Sequence, residues 1–366
     1  RDLITMTTGH RREPWLFNVE SDWVKTFLHS DIEFKPGTHF QYNSAATYML
    51  SAILQSVTGE RLVDYLDKRL FRPLMIQKPD WDRSPEGINT GGWGLRITTE
   101  DIAKLGQLYL QKGMWQGERI LSEAWVQEAT SKQTSNGSNP DNDWDQGYGY
   151  QFWRCRNDCY RGDGAFGQFC IVIPEHDAVV AVTSGTNDMG GVMQVVWDTL
   201  LPAMASEPLE ADPAATRALA LKLNALNLPL VQGKPRSLLS GKLAQRTFQF
   251  FENEAGVHSV SFDLHDDDHR ITFEMDHGRE TLRLGQGSHI SSELNRHLPY
   301  TQQMRRSIGA SGAWIKPDEY QAKIYFTQSP ASIIYTFRFE NNRMSWRSEV
   351  RHSLLGPKKL ATLQSE

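Results

Sequence analysis

The sequence predicts a mixed α/β (α+β) protein: an antiparallel sheet flanked by helices, followed by an antiparallel β-domain. Three observations carry this. Before residue 203, apolar residues recur at spacings of three and four between short strand-like runs. Beyond Arg246 the text alternates in steps of two, with turn residues between the runs. Between these regions, Glu207-Pro208-Leu209-Glu210-Ala211-Asp212-Pro213 has the composition of a linker. The expected division is residues 1–205, a linker or helical connection over 206–245, and a β-rich domain over 246–366.

In chain order, Ala46, Met49, Leu50, Ile53, Leu54 and Val57 mark a helix, with Ser44 as its N-cap and Gly59 as its C-cap. A second helix runs from about Arg61 to Phe71 and stops before Pro73. A third starts at the capping-box pattern Thr98-Thr99-Glu100-Asp101 and ends at Gly113. Trp115-Gln116-Gly117 is a turn, and Ser122 to Thr130 is a short helix with Trp125 and Val126 inward. Ser131 to Gln146, rich in Asn, Gly, Pro and Asp, is expected to be an exposed loop. Strands follow over Tyr148 to Cys155, Gln168 to Ile173 and Ala178 to Thr183, then helical spacing over Val192 to Met204. In the second half the expected strands are Thr247–Phe251, Val257–Leu264, Arg270–Met275, Thr281–Leu284, Ala322–Phe326, Ile333–Phe339 and Met344–Val350.

The 366 residues, 39% hydrophobic and 23% charged, are enough for two cores. A formal net charge of -5 without a Lys/Arg block disfavours a nucleic-acid partner. No apolar run is long enough for a membrane span, and any export signal would lie upstream of residue 1, so the compartment stays open. Cys155, Cys159 and Cys170 make an odd count with no zinc spacing; a Cys155–Cys159 bond across Arg156-Asn157-Asp158 is open but not implied. The eleven histidines show no metal-ligand spacing, and His265, Asp266, Asp267, Asp268 and His269 are expected in a solvated turn. No metal and no cofactor are expected.

His39-Phe40-Gln41-Tyr42-Asn43-Ser44 leads into the first long helix. From spacing alone, Tyr42 is a packed aromatic and Ser44 a cap. Phe34 to Ser44, continuing to Val57-Thr58-Gly59-Glu60, resembles the Tyr-x-Asn region of the serine β-lactamase and penicillin-binding-protein-like hydrolases, the class C-related branch. Four more stretches agree with that family in order: Asp2 to His10; Gly91-Gly92-Trp93-Gly94-Leu95 with Thr98-Thr99-Glu100-Asp101; Ile120 to Val126; and Gly162 to Gln168 running into Ile171-Val172-Ile173-Pro174. The resemblance covers about residues 1 to 203. It implies a β-lactamase/transpeptidase-like fold and attack by a serine of a Ser-x-x-Lys pair.

No lysine of this chain has a serine three residues before it. The nucleophile and its lysine are therefore expected upstream of Arg1, in a chain that opens on text normally internal to the family. By the resemblance, Tyr42 is the proton relay, and Ala165 N–H completes an oxyanion hole with the serine's own N–H. Gly162 stands where the family carries Lys or His, Asp163 at the hydroxyl position and Gly164 at the turn into the strand. The missing side chain at Gly162 argues against β-lactams as natural substrates, and Arg161 should point away from Gly162's side. Ser44 replaces the usual Asn as a substrate-binding group; Asn43 either does that work or only caps. Trp93 and Phe166 are either pocket walls or core aromatics.

Two functions are carried forward. One is a serine hydrolase working through an acyl-enzyme on an ester, amide or peptide bond, of which this chain is an inactive fragment. The other is a non-catalytic relative that binds a peptidoglycan-like or other ligand in the former cleft. The expected partners are a small-molecule or peptide substrate. Without its nucleophile helix the domain should expose an apolar groove, expected to be filled by its own N-terminal fragment or by a partner chain, a second copy included, or to be partly disordered.

Overall fold

The computed structural model describes residues 1–16, 19–244, 246–264, 268–301, 304–353, 358–360 and 362–366. The chain forms two compact units: Arg1–Ser184 with Asp188–Pro208, and Gly185–Asn187 with Leu209–Glu366.

In the first unit, α1 (Trp23–Leu28) precedes α2 (Ser44–Thr58) and α3 (Leu62–Leu66), which continues as a π-turn over Asp67–Phe71. The cap of α2 is Asn43, not Ser44: Asn43 is extended, and its Oδ1 accepts the Ala46 N–H at 3.0 Å. Gly59 closes the helix in the left-handed conformation at φ 71°. The expected apolar stripe is rotated. Ala45, Tyr48, Met49 and Ala52 are buried, while Ile53 and Val57 are 47% and 80% exposed. Tyr48 anchors that face, with its hydroxyl on Ser84 Oγ at 3.2 Å and its ring edge-on to Trp23.

Strands β1 (Asp80–Trp81) and β2 (Leu95–Arg96) pair before α4 (Thr99–Leu110), whose capping box joins Thr98 and Asp101 as expected. Strands β3 (Met114–Trp115) and β4 (Glu118–Arg119) make a hairpin across Gln116 and Gly117, both at positive φ. Helix α5 (Glu123–Thr130) buries Val126 and Ala129, but Trp125 is 41% exposed. The buried stripe of α5 is Val126, Ala129 and Thr130, and Trp125, about 100° round the axis from Val126, falls to one side of it.

The site rests on a four-stranded antiparallel sheet in the order β5 (Trp153–Arg154), β6 (Tyr160–Gly164), β7 (Gln168–Ile173) and β8 (Ala178–Val182). The strand expected over Tyr148 to Cys155 is cut to Trp153–Arg154 because Gln151 takes φ 63°. Helix α6 (Met189–Val195), extended by a π-turn to Leu200 and a 3₁₀-turn to Ala203, packs Met193, Val196 and Trp197 on Phe169, Ile171 and Ile173. Helix α4 covers the opposite face, where a Cβ on Gly106 would lie 2.5 Å from Val179 Cγ1 and 2.8 Å from Cys170 Sγ. The loop over residues 131–146 is not wholly exposed. Asp143 is buried, accepting from Trp197 Nε1 at 2.8 Å and the Arg156 N–H at 3.0 Å. The three cysteines are free thiols.

The second unit begins with α7 (Pro213–Asn224), capped by Asp212 and burying none of its residues, and α8 (Ser240–Leu243). Its strands are β9 (Thr247–Gln249), β10 (Val257–Asp263), β11 (Asp268–Met275), β12 (Gly278–Gly285), β13 (Ile290–Glu293), β14 (Ser307–Lys316), β15 (Glu319–Phe326), β16 (Ser332–Glu340), β17 (Arg343–Arg351), β18 (Lys358–Lys359) and β19 (Leu363–Gln364). They join in one sheet of order β18-β17-β16-β15-β14-β12-β11-β10-β9, with β13 on β14 and β19 on β17. The sheet curls, and the Glu366 N–H reaches Gln249 O at 3.0 Å. Phe273, Tyr335, Phe337 and Trp346 centre its core. The expected solvated turn at 265–269 is corrected in part: Asp268 and His269 belong to β11, and His269 is buried with Nδ1 2.9 Å from Tyr320 Oη. His265, Asp266 and Asp267 lie outside the described residues. Among the described residues, no helix is long and apolar enough to cross a membrane.

Candidate active site

Tyr42 lies one residue before the extended Asn43 that caps α2. Its half-buried ring stacks on Trp153, with centroids 5.4 Å apart, and meets Tyr148 edge-on at 6.5 Å. Trp153 pairs directly with Arg161 across β5 and β6. Residues paired across a ladder share a face, so Tyr42 lies on the side of the sheet that carries Arg161 and Asp163.

Arg161 is completely buried, its guanidinium 4.8 Å from the Trp144 ring and 5.6 Å from the Trp153 ring. Nε donates to Asp163 Oδ2 at 3.0 Å, Nη2 lies 2.9 Å from the same oxygen, and Nη1 donates to the Asp143 carbonyl at 3.1 Å. Trp144 Nε1 also donates to Asp163 Oδ2, at 3.0 Å. Burial pushes the Asp163 carboxyl up, while Arg161 and Trp144 pull it back. Burial opposes charge on Arg161, and Cys155 and Asp163 more than restore it.

A second carboxylate reaches the same region. Glu13 Oε1 accepts the Ser44 N–H at 2.8 Å and the Ala45 N–H at 3.3 Å, on the positive end of the α2 dipole. Burial first, then the charges of Asp163 and Glu13, push the Tyr42 phenol up to about 12. Tyr148 is pushed well above the usual phenol range by burial and by the neighbouring Tyr42 and Asp163. In this chain, Tyr42 is therefore a neutral hydrogen-bond donor at physiological pH.

Of the residues singled out in the sequence, Tyr42 and Asp163 lie on one face of the sheet. Ser44 is the first helical residue, with its N–H taken by Glu13. Asn43 is buried as the cap, its Nδ2 3.5 Å from Thr8 Oγ1. Trp93 reaches α2 because its loop runs on glycine: a Cβ on Gly92 would stand 2.8 Å from Ser44 O. The Trp93 ring then tilts against Trp23 at 5.8 Å. Gly162 and Gly164 lie on the other face of β6, where a Cβ on Gly162 would meet Cys170 Cβ at 3.7 Å. That face is not the one Tyr42 occupies. Ala165 and Phe166 form the β6–β7 turn, in which Ser184 Oγ lies 2.7 Å from Phe166 O and Gln168 Nε2 donates to Ala165 O at 3.2 Å.

Sequence reasoning missed Glu13, Tyr148, Trp153 and the Asp143-Trp144 pair. A tryptophan inside an otherwise polar loop was the available signal for Trp144. Nothing in the text around Glu13 marks it.

Comparison with known proteins adds the following. The Beta-lactamase family model matches residues 1–203. The 6-aminohexanoate-dimer hydrolase of Paenarthrobacter ureafaciens is 29% identical over 199 residues, 50% of this chain and 48% of that protein. The chain thus spans about half the length of this curated relative. A beta-lactamase from Mycobacterium bovis matches at 19% identity with TM-score 0.42, over 56% of this chain and 74% of that one. The octameric penicillin-binding protein homologue from Pyrococcus abyssi matches at 14% identity with TM-score 0.44, over 100% of this chain and 77% of that one.

Proposed function

The chain belongs to the beta-lactamase family, and from that premise we propose that the whole protein is a serine hydrolase cleaving an ester, amide or peptide bond through an acyl-enzyme. The observation that carries this is that Tyr42, at the N-terminus of α2, stacks on Trp153, the ladder partner of Arg161 on strand β6. Residues 1–366 hold no Ser-x-x-Lys pair. We assign the attacking serine and its lysine to residues outside this chain, and regard the chain by itself as inactive.

In the proposed reaction the serine oxygen attacks the carbonyl carbon as its proton moves toward the lysine. The N–H groups of the serine and of Ala165 hold the resulting oxyanion, a contribution of about 3 kcal/mol for each donor. Tyr42 hands a proton to the departing oxygen or nitrogen, and water then releases the acyl group. A phenol near 12 gives up its proton reluctantly. A lysine cation beside it favours the phenolate and lowers that value, which is the physical reason for placing the Ser-x-x-Lys helix against Tyr42.

Simple esters and amides are expected to outrank cephalosporins, because β6 carries the carboxylate of Asp163 on the face of Tyr42, where it repels a β-lactam carboxylate. The test is kcat/KM of the full gene product on p-nitrophenyl esters, peptide amides and a chromogenic cephalosporin under matched conditions. Turnover of the cephalosporin above the esters, or of none of them, overturns the proposal.

A further inference from the structure

Asp163 spends its charge unevenly. Trp144 Nε1, Arg161 Nε and Arg161 Nη2 all converge on Oδ2. Among the described residues, Oδ1 receives no hydrogen bond. Arg161 is completely buried, with Nε on Asp163 and Nη1 on the Asp143 and Arg154 carbonyls and Cys155 Sγ, while Nη2 lies 2.9 Å from Asp163 Oδ2 and makes no aligned hydrogen bond among the described residues. The other charged group bearing on Tyr42 is also a carboxylate, Glu13, and its Oε1 is turned to the α2 N-terminus.

We infer that Asp163 is a specificity-determining residue: its Oδ1, on the face of the sheet that Tyr42 occupies, receives a hydrogen-bond-donating group of the substrate, best an ammonium, and turns away substrates carrying a carboxylate at that position. The wall around it supports this. Trp144, Trp153 and Tyr148 surround the carboxylate with aromatic side chains, and Trp144 and Trp153 already hold one cation, the Arg161 guanidinium, against their rings. An anion meets like charge in a partly desolvated place, where repulsion is poorly screened.

This deepens the proposed hydrolase and rests on it for the rate measurements, so binding is measured separately. With the full gene product, kcat/KM is compared for the p-nitroanilides of 6-aminohexanoic, hexanoic and adipic acids, which differ only in the distal group. The expected order is ammonium, then methyl, then carboxylate, with about tenfold or more between first and last. Binding of hexylammonium and of hexanoate is followed by calorimetry on the 366-residue chain, with the ammonium expected to bind more tightly. In Asp163→Asn the preference should shrink. In the double variant Arg161→Leu/Asp163→Leu, which leaves no buried charge unpaired, it should vanish. A wild-type preference for the carboxylate, equal binding of the two ligands, or a preference retained in the folded double variant overturns the inference. Absence of turnover with ammonium-selective binding would instead sink the hydrolase and leave the role of Asp163 standing.

Discussion

Arg161 Nη2 and Asp163 Oδ2 stand 2.9 Å apart, two residues apart on one face of β6, with side chains 0% and 7% exposed. Strand periodicity alone puts them on the same side. A pair so deeply buried contributes little net stability relative to apolar residues, yet breaking it is costly, because the survivor keeps its charge without a partner. Asp163→Ala should therefore lower the unfolding free energy by about 3 kcal/mol or more, and Arg161→Leu/Asp163→Leu by much less. Urea unfolding of the three proteins checks this; equal losses would show that the pair is not coupled.

Gly106 sets how closely α4 lies on β7 and β8. A methyl there would sit 2.5 Å from Val179 Cγ1 and 2.8 Å from Cys170 Sγ, well inside contact distance. Gly106→Ala gains helix propensity but has to push the helix off the sheet. A net loss of about 1–3 kcal/mol is expected from overpacking. A stability gain in the same unfolding assay would mean that the two layers yield without strain.

The thiols should be slow nucleophiles. Burial pushes Cys155 up to about 11, and Cys159 and Cys170 up to about 12. The thiolate is the reactive form, so iodoacetamide at pH 8 should leave all three unmodified in the folded chain and alkylate all three in urea. Rapid labelling of Cys155 or Cys159 without denaturant would contradict their burial.

Tyr42 gives the chain a pH dependence of known sign. Its folded value, about 12, lies above the ordinary phenol value near 10, so the folded state holds the proton more firmly. That contribution is fully present below pH ~10 and is lost as pH rises through about 12. The difference in 295 nm absorbance between the wild type and Tyr42→Phe, titrated from pH 8 to 13, should show a midpoint near 12. A midpoint at or below 10 would show the ring in water, away from Asp163 and Glu13.

Much of the first unit was legible because local chemistry and tertiary packing agree there. The left-handed Gly59 closes α2, whose cap falls at Asn43, one residue before the expected Ser44; Thr98 and Asp101 start α4, and β7 runs from Gln168 to Ile173 as its apolar run indicates. The stretches that misled are those where packing overrides pattern. Strand β14, Ser307–Lys316, is rich in Gly, Ala and Ser and buried on both faces, so it shows no alternation. Asp143 sits in polar text that reads as solvent-facing, yet it is buried because Trp197 and Arg156 supply donors for it. At the site, Tyr42, Asp163 and Gly162 could be named from motif positions. Only the alternation of β6, fixed by its pairing with β5 and β7, tells that Asp163 shares a face with Tyr42 and Gly162 does not. Glu13 was illegible, since its role depends on a fold-back onto α2 that no local residue encodes.

The central claim is that Tyr42 serves a serine lying outside these 366 residues. Intact-mass spectrometry of the full gene product after treatment with a fluorophosphonate probe, with peptide mapping, tests it most directly. The expected result is one adduct on a serine followed three residues later by lysine, formed about 100-fold more slowly in Tyr42→Phe. No adduct, or an adduct on a serine within residues 1–366, would contradict the account.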